Sequence, residues 1–86
     1  MSYPHTFIAL TSEEQKQVSF WLARYALTGQ SKKRRRFQIL YFSNQKFEFR
    51  RIARRLNCSY DTVRWNIYLY RKQGLKPFIP KYPFTP

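Results

Sequence analysis

Eighty-six residues suffice for one small domain with a modest core. Seventeen lysines and arginines against four carboxylates give a net charge of +13, an excess that repels itself unless a polyanion neutralises it. One cysteine and one histidine exclude a disulfide framework and a structural zinc site, and four carboxylates are too few for a two-metal phosphoryl-transfer centre; the composition speaks against an enzyme and implies no cofactor or metal.

The chain opens MSYPHTFIAL, without the charged start and apolar core of a signal peptide, and His5 stands there without a partner. Thr11-Ser12-Glu13-Glu14 has the form of a capping box, with Thr11 as N-cap and Glu14 three residues on. The helix it opens carries Val18, Trp21, Leu22 and Tyr25 on one side and Phe20, Ala23 and Leu27 on another, and Gly29 closes it. A helix apolar on two sides packs on two things. The expected cover for the second side is Phe7, Ile8 and Leu10 folding back, with a partner subunit as the alternative.

Ser31 precedes KKRRR and then FQILYF, read as a second helix running to about Ser43 with Phe37, Leu40 and Tyr41 at core spacing. Lys32, Lys33, Arg34, Arg35 and Arg36 fall in its first turns, the wrong end for the helix dipole. That placement lowers stability and suggests that the charges answer to something outside the domain. Ser43-Asn44-Gln45 connects to the next element.

Residues 46–74 read as a helix-turn-helix. Phe49, Ile52, Ala53 and Leu56 have the one-face spacing of an amphipathic helix, and Arg50, Arg51, Arg54 and Arg55 fall on the opposite side. Asn57-Cys58 makes a short break in which Cys58 is expected to pack. Ser59 is the N-cap of the following helix, with Asp61 in its first turn, where a negative charge suits the dipole. Val63, Ile67 and Tyr70 continue the buried stripe, and Gly74 ends the helix. Two helices joined by so tight a turn form the major-groove reading motif of many DNA-binding proteins.

After Leu75 the chain reads KPFIPKYPFTP, with Pro77, Pro80, Pro83 and Pro86 recurring every third residue, the period of polyproline II. The expected organisation is a helical domain over residues 1–75 and a Pro/aromatic tail over 76–86. Such a tail can lie across the domain, bind a protein partner or swap onto a second subunit.

Charge is distributed unevenly. Lys16 and Arg24 balance Glu13 and Glu14 in residues 1–30, so the whole +13 lies in residues 31–86. The basic residues alternate with a helical core pattern and do not form a separate polybasic tail, which favours a folded nucleic-acid binder over a membrane-surface peptide. No apolar run approaches the roughly 18 residues of a membrane span. With a single cysteine these features imply a cytoplasmic, nucleoid-associated protein.

From Leu10 to Leu75, about three quarters of the chain, the order of landmarks resembles the N-terminal DNA-binding domain of mariner-related insertion-sequence transposases. The matching residues are Leu10-Thr11-Ser12-Glu13-Glu14, Arg36 through Ile39-Leu40, Ile52-Ala53-Arg54-Arg55-Leu56, Ser59, Thr62-Val63, and Tyr70-Arg71 with Gly74-Leu75. The resemblance implies an all-helical, homeodomain-like module that grips the terminal repeats of an element, a pattern shared with small repressors. Asn57 stands where that family usually has glycine, and asparagine also tolerates the left-handed conformation. The tryptophan usual on the inner edge of the last helix is one place earlier, as Trp65, followed by Asn66. The acidic catalytic domain of that family does not follow Leu75, so the expectation is a stand-alone binder.

The fold expected is therefore all-α, a homeodomain-like helix-turn-helix bundle of about four helices with an extended Pro-rich tail. Base readout is expected from Ser59, Tyr60, Asp61, Arg64, Trp65 and Tyr68, with Arg64 first because a guanidinium matches guanine O6 and N7. Phosphate contacts are expected from Lys32, Lys33, Arg34, Arg35, Arg36, Lys46, Arg50, Arg51, Arg54, Arg55, Arg71 and Lys72. The function implied is a sequence-preferring double-stranded DNA binder, a repressor or regulator of mobile-element, phage or plasmid type, open to homodimerisation. Two alternatives stand beside it: an RNA-binding protein that stacks bases on exposed rings, and an adaptor acting through its proline tail.

Overall fold

The computed structural model describes residues 7–79, which form four helices and no strand. They are α1 (Ser12–Thr28), α2 (Ser31–Asn44), α3 (Phe49–Leu56) and α4 (Tyr60–Gln73), followed by a single 3-10 turn, Lys76–Phe78. Local chemistry sets most boundaries. Thr11 Oγ1 accepts from the Glu14 amide at 3.1 Å while Glu14 Oε1 accepts from the Thr11 amide at 3.0 Å, the reciprocal box that starts α1. Gly29, at φ 73°, turns the chain out of α1 with its amide donated to the Tyr25 carbonyl.

α2 is the hub, packed on by α1, α3 and α4. Phe37, Ile39 and Leu40 are its buried centre. The Phe37 ring is enclosed by those of Trp21, Tyr25 and Phe78, with centroids 5.9–6.4 Å away, and Ile52, Val63 and Ile67 complete the core. Because α2 is covered from several directions, a single stripe does not describe it. Tyr41, expected in the core, is exposed, and Ile39 and Ser43 take inner positions.

Phe7–Leu10 does fold back, but onto the end of α2. The buried Ser43 hydroxyl accepts from the Ile8 amide at 3.1 Å, and Asn44 Oδ1 accepts from the Leu10 amide at 2.9 Å. These two bonds satisfy amides that would otherwise be lost as Ile8 and Leu10 enter the core. The second apolar side of α1 is left without that cover.

The turn between α3 and α4 follows the expected chemistry. Asn57 is left-handed at φ 55° and ψ 50°, and the Cys58 amide reaches back to the Ala53 carbonyl at 2.9 Å. Ser59 Oγ accepts from the Thr62 amide at 3.0 Å to cap α4, and the half-buried Cys58 packs against the core.

The segment after Leu75 departs from the extended tail expected there. Lys76–Phe78 turns once, with Pro77 in the turn, and Phe78 is buried against Phe37. Proline's fixed φ suits a 3-10 turn as well as an extended one, and the apolar side chain two places from the core decides between them. The helical domain thus continues through Phe78. The prolines at 80, 83 and 86 lie outside the described residues.

Phe78→Ala is expected to cost about 3–5 kcal/mol, the usual range for emptying a buried phenylalanine site. Urea denaturation followed by circular dichroism measures it, and an unchanged midpoint would show that the turn adds nothing to the core.

Candidate nucleic-acid interface

α4 presents one face to the core and one to solvent. Val63, Asn66 and Ile67 are buried. Tyr60, Asp61, Arg64, Trp65, Tyr68 and Lys72 are exposed, and Trp65 leaves 57% of its surface open. Asp61, Arg64, Trp65 and Tyr68 line one shallow depression. Within it the Trp65 and Tyr68 rings lie 5.5 Å apart at 30°, and Lys72 Nζ sits 5.8 Å from the Tyr68 ring. The depression therefore joins a guanidinium, a carboxylate and an apolar aromatic ledge over two turns of helix. Tyr60 leans on Phe49 at 5.9 Å, which ties the start of α4 to α3. Ser59 is at this end too, but its hydroxyl is engaged with the Thr62 amide and the Thr62 hydroxyl.

α3 supplies a flanking basic face. Arg50, Arg51, Arg54 and Arg55 are all exposed. Two of them are held from below: the Arg51 guanidinium sits 4.3 Å from the Phe47 ring centroid, and that of Arg55 5.2 Å from Phe42. Lys46, at φ 72°, stands over Phe7 at 6.0 Å. Phe42 lies in α2 and Phe47 in the connector before α3, so this aromatic bed is assembled by the packing of α3 on the end of α2 and no periodicity within α3 announces it.

The run Lys32–Arg36 does not act as one cluster. Lys32 and Lys33 are exposed. Arg34 Nε is buried without a hydrogen-bond partner among the described residues. Arg36 turns inward: its Nε donates to Asn66 Oδ1 at 3.0 Å, and its guanidinium lies 4.7 Å from the Phe78 ring centroid. Asn66 in turn donates through Nδ2 to the Thr62 carbonyl at 2.8 Å. Asn66 thereby takes the inner place on α4 that the resemblance assigned to tryptophan, and Trp65 stays outside. A buried asparagine needs its partners, and Arg36, thirty residues away, is one that spacing could not supply. Arg71 is also partly spent on structure, donating to the Phe7 carbonyl at 3.1 Å.

A third inward contact fixes the far end of α4. The Tyr70 hydroxyl donates to Glu14 Oε1 at 2.6 Å. Burial, with the bonded and negative Glu14 carboxylate beside it, holds the Tyr70 phenol well above its ordinary range, so it remains a protonated donor.

Two helices joined by a tight left-handed turn, the second exposing its polar and aromatic face, is the arrangement to which a family model corresponds. The homeodomain-like domain matches residues 30–77, more than half of the chain. The chain belongs to the homeodomain-like family. No curated protein and no solved structure matches it. The homeodomain-like, helix-turn-helix architecture is a DNA-binding fold, and α3 and α4 are its two motif helices. α1 lies outside the matched segment and is an N-terminal addition to the homeodomain-like core. Among the described residues no group of three or more His, Cys, Asp or Glu could hold a metal ion, and no helix is long and apolar enough to cross a membrane.

The inward and outward arginines should separate in mutagenesis. Arg36→Ala leaves the buried Asn66 Oδ1 without its donor and is expected to cost about 1–3 kcal/mol of stability in denaturant melts. Arg64→Ala removes only an exposed group and should leave the midpoint within about 0.5 kcal/mol of wild type. Equal effects of the two would mean that the Arg36–Asn66 contact is not structural.

Proposed function

We propose that this homeodomain-like protein reads double-stranded DNA with sequence preference and acts as a transcriptional repressor or regulator of mobile-element, phage or plasmid type. The observation that carries this reading is the solvent face of α4, where Arg64, Asp61 and the Trp65–Tyr68 ledge share one depression. A non-specific binder needs only the arginines of α3. A helix that also offers a guanidinium, a carboxylate and apolar rings on one edge has the chemistry to tell bases apart.

With α4 in the major groove, Arg64 pairs with guanine O6 and N7, and Asp61 accepts from a cytosine amino group. Trp65 and Tyr68 lie against thymine methyls, and Tyr60 offers its hydroxyl at the entry to the groove. Ser59 contributes through the end of the helix that it caps. Arg50, Arg51, Arg54, Arg55 and Lys46 meet phosphates on one side and fix the register, and Lys72 and Arg71 do so from the far end. Lys32 and Lys33 extend the basic surface. The regulatory role rests on the resemblance to transposase and repressor modules.

Selection from a random duplex library at near-physiological salt, with wild type and Arg64→Ala in parallel, tests the reading. Wild type is expected to enrich a motif, and the variant to lose a guanine preference within it, at about 1–3 kcal/mol of discrimination. If about six phosphates are neutralised, log K against log salt should fall with a slope near −5, and Arg54→Ala should reduce that slope by about one without altering the motif. Motif-free binding, displaced more readily by single-stranded RNA than by duplex DNA, would overturn the proposal and favour base stacking on Trp65 and Tyr68.

A further inference from the structure

The groups in the α4 depression stand in a definite order across the helix. Arg64 follows Asp61 by three residues and Trp65 by four, all within α4. At 3.6 residues per turn, Arg64 is rotated about 60° to one side of Asp61 and Trp65 about 40° to the other. The carboxylate is thus flanked by a guanidinium on one side and an indole on the other. All three side chains are exposed and line the same depression. Side chains lean towards the N-terminus of their helix, which brings the Trp65 ring back over the turn that carries Asp61.

Across this face the order is therefore a pair of donors, one acceptor and one apolar surface. The edge that complements it presents two acceptors, one donor and one apolar group. Guanine N7 and O6 are the acceptors and the cytosine N4 amino group is the donor. The next atom along that edge is cytosine C5, which carries hydrogen in the ordinary base and a methyl group in 5-methylcytosine. We propose that the centre of α4 takes a 5-methylcytosine–guanine pair, with Arg64 on the guanine, Asp61 on the N4 amino group and Trp65 on the methyl group. The assignment rests on the reading of duplex DNA by α4 and names the base pair that its central side chains fit.

Other pairs fit less well. Unmethylated cytosine keeps both polar contacts but leaves the indole without the methyl group. Thymine has the methyl group, yet its O4 is an acceptor and would face the Asp61 carboxylate with no proton between them. The carboxylate thereby narrows the methyl group that Trp65 meets from thymine to 5-methylcytosine. Tyr68, about 10 Å along the helix from Asp61, remains for a thymine of another pair. Binding then responds to cytosine methylation, a mark that leaves base pairing unchanged.

Anisotropy titration of the full chain tests this, on labelled duplexes carrying the site that wild type enriches, at near-physiological salt. The cytosine altered is the one paired with the guanine that Arg64→Ala ceases to prefer. Wild type should bind about fourfold more tightly when it is 5-methylcytosine, the worth of covering one methyl group. A thymine–adenine pair in its place should weaken binding at least about fivefold, the low end for a wrong base pair. Trp65→Ala should lose the methyl gain and keep the sensitivity to thymine. Two results would overturn the assignment while leaving sequence reading intact. One is no gain on methylation in wild type, with affinity lost instead where a neighbouring thymine is replaced by uracil, which would put Trp65 on the next pair. The other is a methyl gain that survives Trp65→Ala. Failure of wild type to enrich any motif would overturn the DNA reading itself, and this assignment with it.

Discussion

The domain depends on the burial of one short stretch, Phe37 to Leu40 of α2, in the middle of a strongly basic chain. The other helices pack on α2 around it, α1 bringing Trp21 and Tyr25, α3 Ile52, α4 Val63 and Ile67, and the C-terminal turn Phe78. Five cationic residues immediately precede it. Their mutual repulsion opposes compaction, and the structure disperses them. Lys32 and Lys33 point to solvent, while Arg36 is turned inwards to an acceptor and an aromatic ring. A basic run that looks uniform in sequence is thus divided between adhesion and display.

The same division operates across the chain. Arg51 and Arg55 rest on Phe47 and Phe42, so part of the cost of holding a basic face is offset by cation–π attraction before any polyanion arrives. Among the described residues no ring supports Arg50 or Arg54, and both are exposed to solvent.

Much of the architecture was legible because it is written in neighbouring residues. The Thr11–Glu14 box, Gly29, Asn57, Ser59 and Gly74 each set a helix end through contacts within a few positions, and all appear where local chemistry places them. The outward edge of α4 followed from the spacing of Val63 and Ile67. What escaped is burial created by distant partners. Ser43 and Asn66 are polar residues whose inner positions make sense only with Ile8 and Arg36, more than two dozen residues away. Ile39 displaced Tyr41 because α2 is covered on several sides, and period alone assigns one. Phe78 looked like tail because prolines surround it, yet a ring next to an open core site outweighs that local preference.

The bond between Tyr70 and Glu14 joins the last turn of α4 to the first turn of α1, fifty-six positions apart. Glu14 is the same residue that closes the box on Thr11. One carboxylate therefore both starts the N-terminal addition and braces α4 against it. The bond crosses the boundary of the segment shared with the homeodomain-like family: a chain beginning at residue 30 would keep the turn between α3 and α4 and the exposed edge of α4 but lose the brace that holds its far end against α1.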